Sequence, residues 1–403
     1  MHTPTAPSSC RWIAHACALL VACLLSACGG SSDSDTASSQ SAQAQASASA
    51  PAVALAFTAP GDGDVFNTGT SVAVGVQALV GGQAAPDGTA VVFTAASGSF
   101  APNSAATLGG AASTTLATAA TGPLALNASA TLGGQTASAS RTVYVRPTPS
   151  PLEVLVPAYF YPSAGSPWDA LTAGTSAYPS VAVTAILNPS NGVFTKANPE
   201  FTAAATAFVQ AGGKLLGYVY TSYGSRSASK VKGNIDKYLS LYGQGLISGI
   251  FIDEMSTETR RLAYYRDLFN YIKGKDASLR VVGNPGTMPN AAYADIADTF
   301  VTFENQSEQF AGYDPRASGG WLYRLSNTHQ SALLHNTAGC AAMQQAVLTA
   351  ATARYNTGPL YVTDDSFNLE TQEGNPWDTL PSYWTRFLGT VDAVNRGATL
   401  PAC

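Results

Sequence analysis

From residue 153 onward the chain repeats one alternation that leaves few folds open to it. A short apolar run of strand length is followed, again and again, by a stretch with helical spacing or turn residues. The runs are EVLVPAYF (153–160), VAVTAILN (181–188), KLLGYVYT (214–221), GIFIDE (249–254), RVVGNPG (280–286), DTFVTFEN (298–305), SALLHN (331–336) and LYVTDD (360–365). Eight such units in about 250 residues match a (β/α)8 TIM barrel in count and in length. NPEFTAAATAFVQAGG reads as one of the helices, with Asn198 as N-cap, Pro199 at the first helical position and Gly212 at the stop. TETRRLAYYRDLFNYIKG is another. A doubly wound sheet shares this alternation, but no glycine-rich nucleotide fingerprint follows the first run.

In a barrel of this kind the strand ends carry the information, because active sites form at the C-terminal face. Read in order, the runs end on Tyr159 and Tyr161, Asn188, Tyr218 with Tyr220, Asp253 with Glu254, Asn284, Glu304 with Asn305, His335 with Asn336, and Asp364 with Asp365. Any one of these could simply cap a loop; their convergence on one face is what marks a site. GIFIDEMS (249–256) is the sharpest case, an apolar strand that finishes on two adjacent carboxylates. Strand side chains alternate, so Asp253 and Glu254 cannot share a direction unless the chain turns between them.

The chemistry this points to is carbohydrate cleavage. No GxSxG, CxxC or HExxH motif competes with the carboxylates. Glycosidic cleavage needs two carboxyl groups, one to protonate the leaving oxygen and one, ionised, to attack the anomeric carbon or activate water. Asp253 or Glu254 on the fourth strand can face Glu304 on the sixth. Close carboxylates raise each other's pKa, which helps keep one protonated. Tyr159, Tyr161, Asn188, Tyr218, Tyr220, Asn284, His335, Asp364 and Asp365 are the candidate substrate-binding residues, and Trp168 and Trp377 are candidates for stacking on sugar rings. The four histidines and the cysteines show no ligand spacing, so neither a metal nor another cofactor is expected.

Six segments taken in order, VPAYFYP, ILNPSNG, AGGKLLGYVYTSYGSR, GIFIDEMS, VVGNPGT and VTFEN, resemble the spherulin-4-type glycoside hydrolases, over residues from about 153 to 390. That family is related to the endo-α-1,4-polygalactosaminidases. The resemblance implies a (β/α)8 barrel that cleaves α-1,4-linked galactosamine or N-acetylgalactosamine polymers of the biofilm exopolysaccharide type. Its functional acids match Asp253 and Glu254 in the DE pair and Glu304 in the FEN segment. A partly deacetylated aminosugar chain is cationic and would be drawn to an acidic mouth. Two other readings use the same residues: a non-catalytic surface lectin or adhesin, and a hydrolase of a different glycan.

The rest of the chain bears on place and partners. Arg11 precedes WIAHACALLVACLLSAC, an apolar stretch short for a membrane span, ending in a pattern that resembles a bacterial lipoprotein box. Residues 1–27 are therefore expected to be a lipoprotein signal peptide, with cleavage before Cys28 and acylation of its thiol. Gly29 rather than Asp after the cysteine fits the outer membrane or surface of a double-membrane, Gram-negative cell. Loss of Arg11 with the leader takes the formal net charge from −5 to −6, and an acidic chain without basic clusters is a poor candidate for nucleic acid. Cys10, Cys17 and Cys23 leave with the leader, so Cys340 and Cys403 remain and most simply form one disulfide. Such a bond would close a loop of about 64 residues and stabilise by about 4 kcal/mol on the chain-entropy model. Residues 28–51, rich in Ser and Ala without a large apolar side chain, read as a disordered tether. Short alternating runs with Gly, Pro and Asn turns over 52–147 read as a small all-β sandwich of immunoglobulin-like pattern, and RPTPSP leads into the barrel over 151–403. A monomer is expected.

Overall fold

The computed structural model describes residues 51–403. The expected leader, the expected acylation site at Cys28 and the expected tether up to Ala50 lie outside the described residues. The eight apolar runs form β1 (Glu153–Ala158), β2 (Val183–Leu187), β3 (Lys214–Tyr220), β4 (Ile247–Asp253), β5 (Arg280–Gly283), β6 (Thr299–Gln306), β7 (Gln330–His335) and β8 (Pro359–Val362). They pair in chain order, all parallel, and close into a barrel where β1 meets β8 through Glu153 with Pro359 and Val154 with Leu360. Most strand residues are buried on both faces, which is why the runs read as continuously apolar rather than alternating.

Helices α1 (Pro167–Ala177), α2 (Pro199–Gln210), α3 (Ala228–Lys237) and α4 (Leu262–Lys275) follow the first four strands. The N-cap of α2 is as expected: the Asn198 side chain accepts from the backbone N–H groups of Glu200 and Phe201. The fifth unit departs from the pattern. Between β5 and β6 there is one 3-10 turn, Ala291–Tyr293, and no α-helix. Pro285 and Pro289 stand in this short connection, and proline interrupts helical hydrogen bonding. After β6 come the four-residue α5 (Ser307–Phe310) and three 3-10 turns; α6 (Cys340–Ala351) and α7 (Trp384–Arg396) complete the ring. A disulfide joins Cys340, at the start of α6, to Cys403, with the Cα atoms 5.6 Å apart.

At the N-terminal end of the barrel an ion pair crosses the floor. Arg280 at the start of β5 binds Glu153 at the start of β1 at 2.6 Å, and the same guanidinium donates to Thr299 Oγ1 of β6 at 3.0 and 3.2 Å. Thr299 Oγ1 passes a bond on to the Thr328 carbonyl just before β7.

Residues 53–146 form two packed antiparallel sheets, with one short parallel pairing. One sheet has the order Val53–Ala59, Ser71–Val80, Ala111–Ala117, Ser99–Ala101; the other runs Val65–Asn67, Gln135–Arg146, Gly122–Leu132, Ala90–Ala95, Ser104–Ala106. Val74, Val76, Val91, Phe93, Leu116, Leu126 and Val143 fill the space between them. This sandwich meets the barrel at the floor, away from the strand ends that carry the candidate residues. Tyr144 packs on Tyr323 with ring centroids 5.0 Å apart, Arg316 donates to the Gly63 carbonyl at 2.7 Å, and Arg146 reaches Asn356 before β8 at 3.4 Å. Asn327, before β7, exchanges hydrogen bonds with the backbone of Ser150 at 2.8 and 2.9 Å.

Gly249 in β4 has no room for a side chain, since a Cβ there would stand 2.1 Å from the Arg280 carbonyl oxygen. Gly249→Ala is expected to destabilise the protein by about 3 kcal/mol through overpacking, read as a lowered midpoint in chemical denaturation.

Candidate active site

β4 delivers the two carboxylates in different directions. Ile250, Phe251 and Ile252 are buried in the core, and at Glu254 the chain turns into the left-handed region, φ +50°. A non-glycine residue seldom adopts that conformation. The turn sends Asp253 toward the barrel axis and Glu254 toward the loop after β3. Asp253 Oδ2 accepts from the Tyr218 hydroxyl of β3 at 2.7 Å, and Oδ1 accepts from Asn284 Nδ2 at 2.9 Å. Glu254 Oε2 accepts from the backbone N–H of Ser222 at 3.0 Å, outside this group.

Asn284 joins Asp253 to Glu304. Its Nδ2 donates both to Asp253 and, at 2.7 Å, to Glu304 Oε2 at the end of β6. The two carboxylates thus share one amide nitrogen, and their nearest oxygens stand no further apart than two hydrogen bonds laid end to end. The amide cannot easily move. Asn284 is only 7% exposed, its Oδ1 accepts from Gly286 N–H at 2.9 Å, and its backbone bonds to Ile252 and Met255 on either side of Asp253. The NPG turn that follows β5 also positions Glu304, whose N–H donates to the Gly286 carbonyl at 3.0 Å.

Burial raises both carboxyl pKa values, but the donors divide the pair. Asp253 takes hydrogen bonds from Tyr218, Asn284 and the Glu254 backbone, which favour its ionised form. Glu304 is pushed up to about 7 by burial and then by the negative Asp253, against weaker opposing bonds from Asn284 and Trp377. The donors thus favour ionisation at Asp253, while burial and the like charge keep Glu304 partly protonated near neutral pH. Tyr159 and Tyr218 are raised far above the usual phenol range by burial and then by Asp253, so both remain neutral donors. Their rings meet edge to face at 5.6 Å.

Residues 153–391 match the family model described as Spherulation-specific family 4. The chain belongs to the spherulin-4 family. It is 33% identical to Spherulin-4 of Physarum polycephalum over 264 residues, which span 63% of this chain and 74% of that protein. Among solved structures it is similar to Sph3 of Aspergillus clavatus in complex with GalNAc, at 26% identity and TM-score 0.49, covering 60% of this chain and 98% of that one. It is also similar to a family 39 glycoside hydrolase of Bacteroides cellulosilyticus WH2, at 11% identity and TM-score 0.39, covering 83% and 81%.

The remaining candidates spread outward from the pair. Trp377, from the connection between β8 and α7, lies within hydrogen-bonding reach of Glu304, and its ring stands perpendicular to His335 at 5.9 Å. His335, at the end of β7, is buried and its pKa lowered by that burial, so it is neutral. Asn336 Oδ1, 2.5 Å from His335 Nδ1, already accepts from Phe367 N–H, which makes Nδ1 the protonated nitrogen and leaves Nε2 an acceptor. The side-chain oxygen of Asn188, after β2, is buried without a hydrogen-bond partner. Tyr220 lies under the Arg226 guanidinium, 4.1 Å from its ring centre. Tyr161, 52% exposed, accepts from Asn198 on the rim.

Asp364 and Asp365 are not joined to the pair by any hydrogen bond among the described residues. Asp364 binds the Ser382 N–H and hydroxyl, and Asp365 accepts from Thr363. Trp168 is no sugar platform: it is 2% exposed, packed against Phe160 and Phe208, and donates to the Phe160 carbonyl at 3.0 Å.

Asp253→Asn removes the negative neighbour of Glu304, so the Glu304 pKa is expected to fall below its value of about 7. Carboxyl-selective infrared or 13C NMR titration of the folded protein reads this; an unchanged Glu304 titration would count against the coupling.

Proposed function

We propose that this chain is a retaining glycoside hydrolase acting within α-1,4-linked galactosamine or N-acetylgalactosamine polymer of the exopolysaccharide kind. The observation that carries the reading is the single Asn284 amide donating to both Asp253 and Glu304, two buried carboxyl groups of which Glu304 is pushed up to about 7. Spacing supports retention. Retaining enzymes keep their carboxyl groups about 5 to 5.5 Å apart, whereas inverting ones need about 6.5 to 9.5 Å to admit a water. The substrate class follows from what the family resemblance implies.

In the first step Glu304 gives its proton to the glycosidic oxygen while an Asp253 oxygen attacks the anomeric carbon from the opposite face. The bond to the leaving sugar breaks and a glycosyl ester of Asp253 forms. Glu304, now ionised, takes a proton from water; the hydroxide attacks the same carbon, the ester breaks, and Asp253 leaves as carboxylate. In an α-linked 2-acetamido galactoside the acetamido group lies cis to the leaving oxygen, so the nucleophile must come from the protein. Tyr218 and Asn284 hold Asp253 in line.

Glu304→Gln and Asp253→Asn are each expected to lower kcat by about a thousandfold or more while the protein stays folded. For the native protein, kcat/KM should fall as pH rises through about 7, where Glu304 loses its proton. NMR of the first-formed product should show the α anomer. Binding of the polymer with no cleavage by the native protein would favour a lectin instead. We also propose that acylated Cys28 anchors the protein to the cell envelope, at the outer membrane or surface of a Gram-negative cell. Cys28→Ala should then move it from the membrane to the soluble fraction.

A further inference from the structure

We propose that Trp377 is the positioning residue for the Glu304 carboxyl, and that the connection from β8 to α7 is a strap that holds it in place. The inference rests on the reading of Glu304 as the acid, and it gives Asp364 and Asp365 a task.

The strap runs from Thr363 to Tyr383, far longer than most connections in a compact domain, and carries a small hairpin in which Phe367–Asn368 pairs with Glu373–Gly374. Its two ends are tied together. The Asp364 carboxylate accepts from the Ser382 N–H at 3.0 Å and from the Ser382 hydroxyl. Near the first end Asn336, which follows β7, acts as a latch. Its N–H donates to the Asp365 carbonyl at 2.9 Å, its Oδ1 accepts from the Phe367 N–H at 2.9 Å, and its backbone is left-handed, φ +58°. The Asp365 carboxylate accepts from Thr363 Oγ1 at 3.1 Å, and Gln306 Nε2 donates to the Phe367 carbonyl at 3.2 Å. Gln306 stands two residues past Glu304 on β6, so the strap is bonded to the strand that carries the acid. The two aspartates after β8 thus serve the strap.

Trp377 follows the hairpin and is gripped from three strands. Its carbonyl accepts from the Tyr159 N–H, after β1, at 3.3 Å. Its partly buried ring stands perpendicular to His335 of β7, with centroids 5.9 Å apart, and tilted to Tyr361 of β8 at 6.0 Å. From that seat the indole reaches Glu304. An indole N–H donates and never accepts, so it binds a lone pair of the carboxyl group, fixes which way that group faces and favours its ionised form. It therefore opposes burial and the charge of Asp253, the two influences that push Glu304 up to about 7. The groups that face Glu304 are Asp253 of β4, Asn284 after β5, Tyr159 after β1 and Trp377; of these only Asp253 carries charge. His335, against Trp377, is kept neutral by burial. A carboxyl group that holds its proton more tightly yields it less readily to a leaving oxygen, so a donor that restrains the rise of Glu304 assists the first step.

The test uses Trp377→Phe, which keeps an aromatic ring and removes the donor. The Glu304 titration, read by 13C NMR of the folded protein, is expected to move to higher pH, and the alkaline limb of kcat/KM is expected to move with it. At the optimum kcat should fall about tenfold while KM for galactosamine-containing polymer stays near native. Asn336→Gly tests the strap, because glycine adopts the left-handed turn freely and takes away the latch oxygen. It should shift the same limb in the same direction, and the double variant should shift it no further than Trp377→Phe alone. An unmoved Glu304 titration in Trp377→Phe would overturn the proposal. So would a raised KM with the limb unmoved, the mark of a sugar platform. A Glu304 titration that shifts in Trp377→Phe while the native protein cleaves no polymer would uphold the positioning role and reject the hydrolase, whereas native cleavage with an unmoved titration would do the reverse.

Discussion

The Arg280–Glu153 ion pair ties together strands on opposite sides of the barrel. β1 and β5 lie four places apart in a ring of eight, and their first residues meet across the floor. Through Thr299 the same guanidinium engages β6, and through the Thr328 carbonyl the chain into β7. An arginine suits this position because its planar fork satisfies several acceptors at once. With the floor held, the far ends of β3 to β6 emerge at fixed spacing, and the site is made of what those four strands present: Tyr218, Asp253, Asn284 and Glu304. The chemistry at one end of the barrel therefore depends on polar contacts at the other, and the apolar layers between transmit the register.

Within the site, one backbone turn decides how adjacent residues divide their work. An extended strand would have put Asp253 and Glu254 on opposite faces, one inside and one among the helices. The left-handed turn keeps both at the mouth but separates them, so that Asp253 joins Asn284 and Tyr218 while Glu254 joins the backbone of the next loop. Environment then separates two chemically similar pairs of oxygens. Three donors favour the ionised Asp253; burial and a like charge favour the protonated Glu304.

Much of this was legible in the sequence, and what escaped has physical causes. The eight barrel strands coincide with the eight apolar runs because strands buried on both faces leave an uninterrupted signal. In the sandwich, Ala111–Ala117 alternates between exposed and buried as a strand should, yet its sequence AASTTLA uses side chains too small and too similar for the alternation to register. The missing fifth helix is explained by Pro285 and Pro289, a stop signal outweighed by the regularity of the count. Sequence brought Asp253, Glu304 and Asn284 to one face but gave no hint that Asn284 bridges the other two, since a shared hydrogen bond has no local pattern. Nor does a tryptophan reveal its surroundings: Trp168 and Trp377 looked alike, and one is core while the other touches Glu304. The left-handed turn at Ser222 and Tyr223, φ +47° and +54°, gave no sequence signal, because neither residue is among those enriched in that conformation.

The docking of the sandwich on the barrel floor has a consequence for traffic at the mouth. The polypeptide enters from below, through Arg146 and Ser150, and its first two sheets occupy the end opposite Asp253 and Glu304. Among the described residues, the hydrogen bonds and ring contacts between sandwich and barrel involve none of the strand-end residues that carry Asp253 and Glu304. On the proposed reading, an internal stretch of polymer would be engaged at that end without a free terminus being threaded past the sandwich.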